Sequence, residues 1–588
     1  MYTDVMTEIA RFKAGRIHVA RAGLATQARL CVDMLQQGRG MAWVVKNRDE
    51  LLTARALMRL FSPELSSGDF LPDALDKGGW TSLPPFSPRS ANREGWTERL
   101  SALYALRSGQ AKGLILTADN LLPKLVPLDF FENREVTLIR GEDVSLDMIL
   151  EQAVEWGYER VSMVSNPGEI ARRGDILDIM PPGYDKPIRL DFFGDLIEEI
   201  RLFDPVSQRS KANLSEVRVL PVSPIRQSPA DQAKMQARWK SLFQKNMLTE
   251  NERFGLTRLQ EQGDFRLLPG CCYDTATNLE AWLPADTVWV LPGLSDFRDM
   301  LSSAERLWTE AFEAQDVEGR PQPQRLAMRE ASDVESACER FACVHAEPLV
   351  MGIAKGIHDL PERSLSSFED LFPSTAEQDR PWQTLVQALK RWQNDKRQTI
   401  LCFASEKSRT KFLNLASQDG LSPLLRYSGE QHGLFALVAP FRAGAELIWD
   451  QSLILGEDLL QPHAEKSRRV PTGAFKGLDR YDELKPGDLL VHRDYGIARF
   501  GGLLRMETGS TANDFLLLHY SGDDRLYVPV DRLSLIQRFK GGGEAQPSLD
   551  RLGGGAWQSG KEKARKAIEK IAEDLIEMYA WRKVAKGF

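Results

Sequence analysis

The sequence has no phosphate-binding loop. In a nucleotide-binding α/β protein the first strand would run into GxxxxGK[ST], whose backbone amides and lysine hold the phosphates. Here the predicted strand Arg16 to Ala20 runs into ARAGLATQARL. Gly23 is present, but Ala25-Thr26-Gln27 supplies no lysine. The other partial match, Ser559-Gly560-Lys561, precedes a charged helix and follows no strand. No ATP site, catalytic residue or cofactor-binding residue is therefore expected. Cysteine is scarce as well: Cys31, Cys271, Cys272, Cys338, Cys343 and Cys402 form no CxxC pair, and the seven histidines are scattered. This excludes the usual zinc spacings, so free thiols and no metal are expected. Positive charge is not in excess, the net charge being −7, so no bulk basic field draws the chain onto DNA. No apolar run reaches transmembrane length, and MYTDVMTEIARFKAG has no long apolar core after its charges, so a cytoplasmic chain with no membrane partner is expected.

What is present is ordinary globular composition, 42% hydrophobic and 27% charged, over 588 residues. That length exceeds what one hydrophobic core supports, and several domains are expected. Residues 1–125 alternate strand-like runs (Arg16 to Ala20, Met41 to Lys46, Lys112 to Thr117) with helix-like runs (Thr26 to Gln37, and Asp49 to Phe61 with Asp49 as N-cap). This is βαβ grammar and predicts a mostly parallel sheet. Trp80, Phe86 and Trp96 are scattered aromatics, read as packing and not as base-stacking platforms.

Within 126–215, NPGEIARRGDILDIMPPGYDKPIRLDFFGDLIEEIRLFDPVSQRS reads as three strands, 175–180, 188–193 and 197–203, separated by Pro181-Pro182-Gly183 and Gly194-Asp195. Alternation of polar and apolar positions predicts an antiparallel meander. From 216 to 345 the pattern returns to helices and a strand at DTVWVLPG. Residues 346–460 hold WQTLVQALKRWQN, TILCFA, SEKSRTKFLNLAS, LFALVAP and SLILGE, a small α/β unit with no constellation that carries chemistry. Residues 461–484 are polar and turn-rich, a linker.

Residues 485–545 are punctuated differently. KPGDLLVHRDYGIARFGGLLRMETGSTANDFLLLHYSGDDRLYVPVDRLSL breaks short apolar runs with Gly, Asn and Asp, as in a small all-β barrel or sandwich. Thr508-Gly509-Ser510 marks a hairpin tip. Leu516, Leu518 and Tyr520 fall on one strand face and Phe515, Leu517 and His519 on the other; two apolar faces mean burial on both sides or a partner on one. After Gly541-Gly542-Gly543, Lys561 to Lys586 reads as an amphipathic helix with Ile568, Ile571, Ala572, Leu575 and Tyr579 on one side.

On GDLLVHRDYGIARFGG and RLYVPVDRLSLIQRF, the barrel resembles the polymerase-interacting module shared by CarD-type regulators and the bacterial transcription-repair coupling factors. LGGGAWQSGKEKARKAIEKIAEDLIEMYA is similar to the latter. The meander resembles domain 2 of UvrB and its equivalent in the same coupling factors. The resemblance implies a multidomain α/β protein: a degenerate UvrB-like nucleotide-binding-type domain (1–125 and 216–345), an inserted antiparallel α+β domain (126–215), a small α/β domain (346–460), a CarD/Tudor-like barrel (485–545), and a Gly-rich linker and helix (546–588) leading toward an absent motor. It implies docking on the RNA polymerase β subunit through an edge strand carrying Met506, with Leu504, Arg505 and Arg499 beside it, and recruitment of UvrA through Arg173, Arg189 and Phe193. Taken without the resemblance, Arg189 would pair with Asp191 or a neighbour and Phe193 would be core. With it, the expected role is an adaptor in transcription-coupled nucleotide excision repair. ATP, magnesium and double-stranded DNA would engage the motor of the full-length translocase.

Two other readings fit less of the sequence. A UvrB-like damage-recognition ATPase would hydrolyse ATP, and the tract Ser66 to Thr97 lacks the tyrosine-rich hairpin such an enzyme uses on damaged DNA. A CarD-like regulator would act through the barrel alone and keep its activity without residues 1–455.

Overall fold

MAWVV at Met41–Val45 and GLILT at Gly113–Thr117 have every residue buried, as continuous apolar runs require where helices cover both faces of a parallel sheet. They lie in a seven-stranded sheet ordered 357–359, 15–20, 342–347, 288–292, 41–45, 113–117, 80–83, with every pairing parallel. The computed structural model of the chain describes residues 2–11, 14–62, 79–88, 90–205, 208–347, 357–374, 380–427, 432–460, 487–492, 496–508, 511–521, 524–529 and 536–538. The expected linker 461–484, the Gly541 to Gly543 tract and the helix from Lys561 to Lys586 lie outside these residues.

The strand order explains the insertion. Strands 288–292 and 342–347 stand between 15–20 and 41–45, so the chain leaves the sheet after Gly113–Thr117, builds the meander, and returns to complete the same layer. The seventh strand, Ile357–Asp359, pairs in parallel with Gly15–Ala20 and comes from the segment that also starts the small α/β unit.

Helices Leu24–Gln36 and Arg48–Phe61 occupy the expected places, with one correction at a cap. Asn47, not Asp49, caps the second, its side chain accepting from the Glu50 N–H at 3.0 Å. Asp49 sits inside the first turn, where its charge faces the positive end of the helix dipole. Trp80, Phe86 and Trp96 are all buried. Phe86 and Trp96 meet edge-on with centroids 5.0 Å apart, and the Arg99 guanidinium lies 4.3 Å over the Phe86 ring. They pack, as read.

The inserted domain contains a six-stranded sheet ordered 210–214, 196–203, 188–193, 176–179, 169–173, 159–160. Its inner face (Ile170, Leu177, Ile179, Ile188, Leu190, Phe192, Ile197, Ile200) packs with Ile149, Leu150 and Ala153 of helix Leu146–Glu155. The small α/β unit has a mixed five-stranded sheet ordered 362–365, 444–447, 452–456, 398–403, 434–438. Its core is continuous with that of the parallel sheet through Ile400, Cys402, Phe435 and Ile454.

The chain divides into two compact units, Met1–His463 and Ala464–Phe588. The second holds a five-stranded antiparallel sheet ordered 525–529, 511–519, 496–508, 489–492, 536–538 around Leu490, Ala498, Phe500, Leu516, Leu518, Tyr520, Val528 and Ile536. All six cysteines are buried and unpaired. Among the described residues, no helix is long and apolar enough to cross a membrane, and no group of three or more His, Cys, Asp or Glu side chains could hold a metal ion.

Candidate docking surfaces

Strand Ile188–Phe193 alternates buried and accessible positions. Ile188, Leu190 and Phe192 turn to the core, which places Arg189, Asp191 and Phe193 on the opposite face. Residues paired across an antiparallel ladder share a face. Arg173 pairs with Ile176, and Ile176 with Asp191, so Arg173 stands on that same face. The three residues implicated by sequence are thus gathered on one side of one sheet.

Arg173 and Phe193 also share an end of it. Each immediately precedes a two-residue turn, Gly174-Asp175 or Gly194-Asp195. Both glycines have φ of +62°, a conformation that costs other residues steric strain and suits the first turn position of a tight hairpin. Phe193 is 74% exposed, so it is not a core residue. Arg173 is exposed too and donates one N–H to the Ser162 carbonyl at 2.6 Å. A guanidinium has five N–H donors, which leaves it capacity to fork onto a partner's carboxylate.

Arg189 differs. Its Nε and Nη2 donate to the two carboxylate oxygens of Asp178, each at 2.7 Å, and Nη2 also reaches the Gln208 Oε1 at 3.0 Å. The guanidinium lies 4.5 Å over the Phe203 ring. The hydrogen-bonded Asp178 holds the Arg189 pKa above its ordinary value, against the opposing effect of burial. Its partner is therefore Asp178, directly opposite in register, while Asp191 pairs with Arg201. Asp178 is 2% exposed. Breaking such a pair leaves an uncompensated charge in a desolvated place, at a cost of about 3–5 kcal/mol. Asp178→Ala is accordingly expected to destabilise the chain by about 3 kcal/mol, read as a lower urea midpoint for the Met1–His463 unit. An unchanged midpoint would show that the pair is not structural.

The barrel carries the second surface. Strand Gly496–Thr508 is thirteen residues long and its two halves have different neighbours. Gly496 to Arg499 pair with Leu489–His492, and Phe500 exchanges backbone hydrogen bonds with Gly487 and Asp488. The ladder shifts register between Phe500 and Gly502. Gly502 has φ of +124°, and a Cβ on Gly501 would stand 2.5 Å from the His519 ring, so this bulge requires the glycine pair. Past the bulge, residues 502–508 pair only with strand Thr511–His519, and their other backbone edge is open among the described residues. Thr508 pairs with Thr511, and Gly509 and Ser510 of the expected hairpin tip lie outside the described residues.

Leu504 lies on this open stretch and is 41% exposed, and Leu503 beside it is exposed too. Met506 and Arg505 stand on the same stretch, opposite Asn513 and Asp514. Arg499 is exposed but lies on the half already paired with Leu489–His492, away from the open edge. Leu516, Leu518 and Tyr520 form the core face, while Leu517 pairs with the half-exposed Tyr527 on the other. Leu517 is itself buried, and His519 on the same face is half-buried.

Comparison with known proteins bears on both surfaces. A family model described as the UvrB interaction domain matches residues 136–224, and one described as the CarD-like/TRCF RID domain matches residues 484–540. Transcription-repair-coupling factors align along most of the chain: that of Myxococcus xanthus at 29% identity over 86% of this chain and 44% of its own length, and that of Escherichia coli strain K12 at 28% over 87% and 44%. The Haemophilus influenzae protein aligns at 28% over 91% of this chain and 46% of its own length. The chain spans less than half the length of these relatives.

Proposed function

We propose, for a chain homologous to the N-terminal, non-motor region of the transcription-repair-coupling factors, that it is a two-sided adaptor. The observation that carries this reading is that each matched domain presents an exposed feature suited to docking: the Arg173–Phe193 end of the meander sheet in 136–224, and the half-open strand 502–508 in 484–540. UvrA is the partner of the first surface and the RNA polymerase β subunit of the second. An edge strand gains affinity from backbone hydrogen bonds and specificity from a few side chains. An exposed aromatic with a nearby guanidinium is the composition of an interface hot spot.

In the longer protein, this region would hold polymerase and recruit UvrA while an ATP-driven translocase displaces the stalled polymerase from double-stranded DNA. The present chain binds without turning over ATP. The test titrates the purified chain separately against UvrA and the isolated β subunit, with Phe193→Ala and Met506→Arg as matched variants. Each substitution is expected to remove binding to its own partner only. Binding of wild type to neither partner would overturn the adaptor reading, and ATP hydrolysis by the chain would favour the UvrB-like ATPase instead.

A further inference from the structure

Strand Gly15–Ala20 delivers the chain through Arg21 to Gly23 into helix Leu24–Gln36. In a nucleotide-binding sheet this turn presents backbone amides to phosphate. Gly23 is the N-cap residue and makes no side-chain cap hydrogen bond. The amides are nevertheless occupied. Glu362, 336 residues beyond Thr26, places its carboxylate over them: Oε2 accepts from the Thr26 N–H at 2.7 Å and Oε1 from the Ala25 N–H at 3.3 Å. A Cβ on Gly23 would stand 2.3 Å from Oε1, so this approach depends on glycine.

The surroundings are built to hold this carboxylate. The Glu362 N–H donates to the Arg21 carbonyl, and the Leu360 N–H to the Ala20 carbonyl, both at 3.0 Å. Trp449 donates its indole N–H to the Thr26 Oγ1 at 3.0 Å and stacks on Tyr2 at 4.3 Å. Burial pushes the Glu362 carboxyl above the usual range, and the Thr26 and Ala25 donors oppose it by stabilising the charge. Glu362 opens strand Glu362–Leu365 at the edge of the five-stranded sheet, whereas the helix it caps follows strand Gly15–Ala20 of the seven-stranded one and packs in a core shared by both. The ligand thus opens a strand of one sheet, and its cradle follows a strand of the other.

We propose that Glu362 is a built-in anionic ligand of this helix N-terminus, filling the place of a phosphate and latching the five-stranded sheet to the parallel one. Nucleotide is then excluded by an occupant as well as by the missing lysine.

Chemical rescue in the full chain tests this. Glu362→Ala is expected to lower the Tm by about 2–4 °C and to speed hydrogen exchange at the Thr26 amide roughly tenfold. Sodium formate, a carboxylate small enough for the vacated space, is expected to recover at least half of both losses, and sodium chloride at equal ionic strength little. Glu362→Gln keeps an oxygen acceptor without the charge and is expected to fall between wild type and Glu362→Ala; it also serves if the alanine variant does not fold. Gly23→Ala is expected to reproduce the loss without rescue, because its methyl group fills the cradle. Unchanged Tm and exchange in Glu362→Ala, or recovery no greater with formate than with chloride, would overturn the proposal.

Discussion

Met506→Arg is expected to weaken binding to the polymerase β subunit by about 30-fold or more, with UvrA binding changed less than about twofold. Residues 502–508 keep one backbone edge unpaired among the described residues, and a strand docked there covers the side-chain positions beside that edge. The two-residue period of a strand sets positions 504 and 506 on one face, and Leu504 is exposed there. A guanidinium at 506 would have to lose its water under the docked strand, a penalty of several kcal/mol where no carboxylate of the partner receives it. Leu504→Ala removes apolar contact alone and is expected to cost about tenfold. Arg499→Ala, away from the open edge, is expected chiefly to change the salt dependence of association. Calorimetric or anisotropy titrations against the isolated β subunit measure all three. Wild-type affinity in Met506→Arg would place the docking surface elsewhere on the barrel.

The parts of the fold that could be read from sequence are those set by local periodicity. MAWVV and GLILT announce strands buried on two faces, and the Ile188–Phe193 alternation announces one buried on a single face. Local competition decided the cap: Asn47 and Asp49 are both good N-cap residues, and the earlier one won because its side chain reaches the Glu50 amide. Long-range register was not legible. The Asp178 partner of Arg189 follows from the pairing of strands 176–179 and 188–193, but eight residues separate those strands, and only a tight turn fixes register from sequence. Asp191, two positions away on the same strand, was the nearer candidate and went to Arg201. Pattern could not reveal Glu362 either, since the carboxylate opens a strand 336 residues beyond the helix N-terminus whose amides it meets. The missing lysine after Gly23 marked the cradle as altered; only the fold shows its occupant.

Phe193→Ala is expected to lower affinity for UvrA by about 30-fold while leaving the Tm within about 1 °C. The two readouts separate because Phe193 is 74% exposed: its ring contributes little to folding and can bury most of its area in a complex. Arg189→Ala should behave differently. It strands the nearly inaccessible Asp178 carboxylate, so any loss of UvrA binding mixes a missing contact with a disturbed sheet. The Asp178→Ala/Arg189→Ala double variant removes both charges and is expected to recover part of the stability lost by either single variant. If that double variant regains UvrA affinity along with stability, Arg189 acts by pinning strands 176–179 and 188–193 under the docking face. If stability returns and affinity does not, the guanidinium itself meets UvrA. Arg173→Ala completes the set: its recorded hydrogen bond goes to the Ser162 carbonyl at the surface, so a loss of affinity there, at unchanged Tm, would place the interface at the end of the sheet where the two glycine turns lie. Wild-type UvrA affinity in both Phe193→Ala and Arg173→Ala would remove this face from the interface.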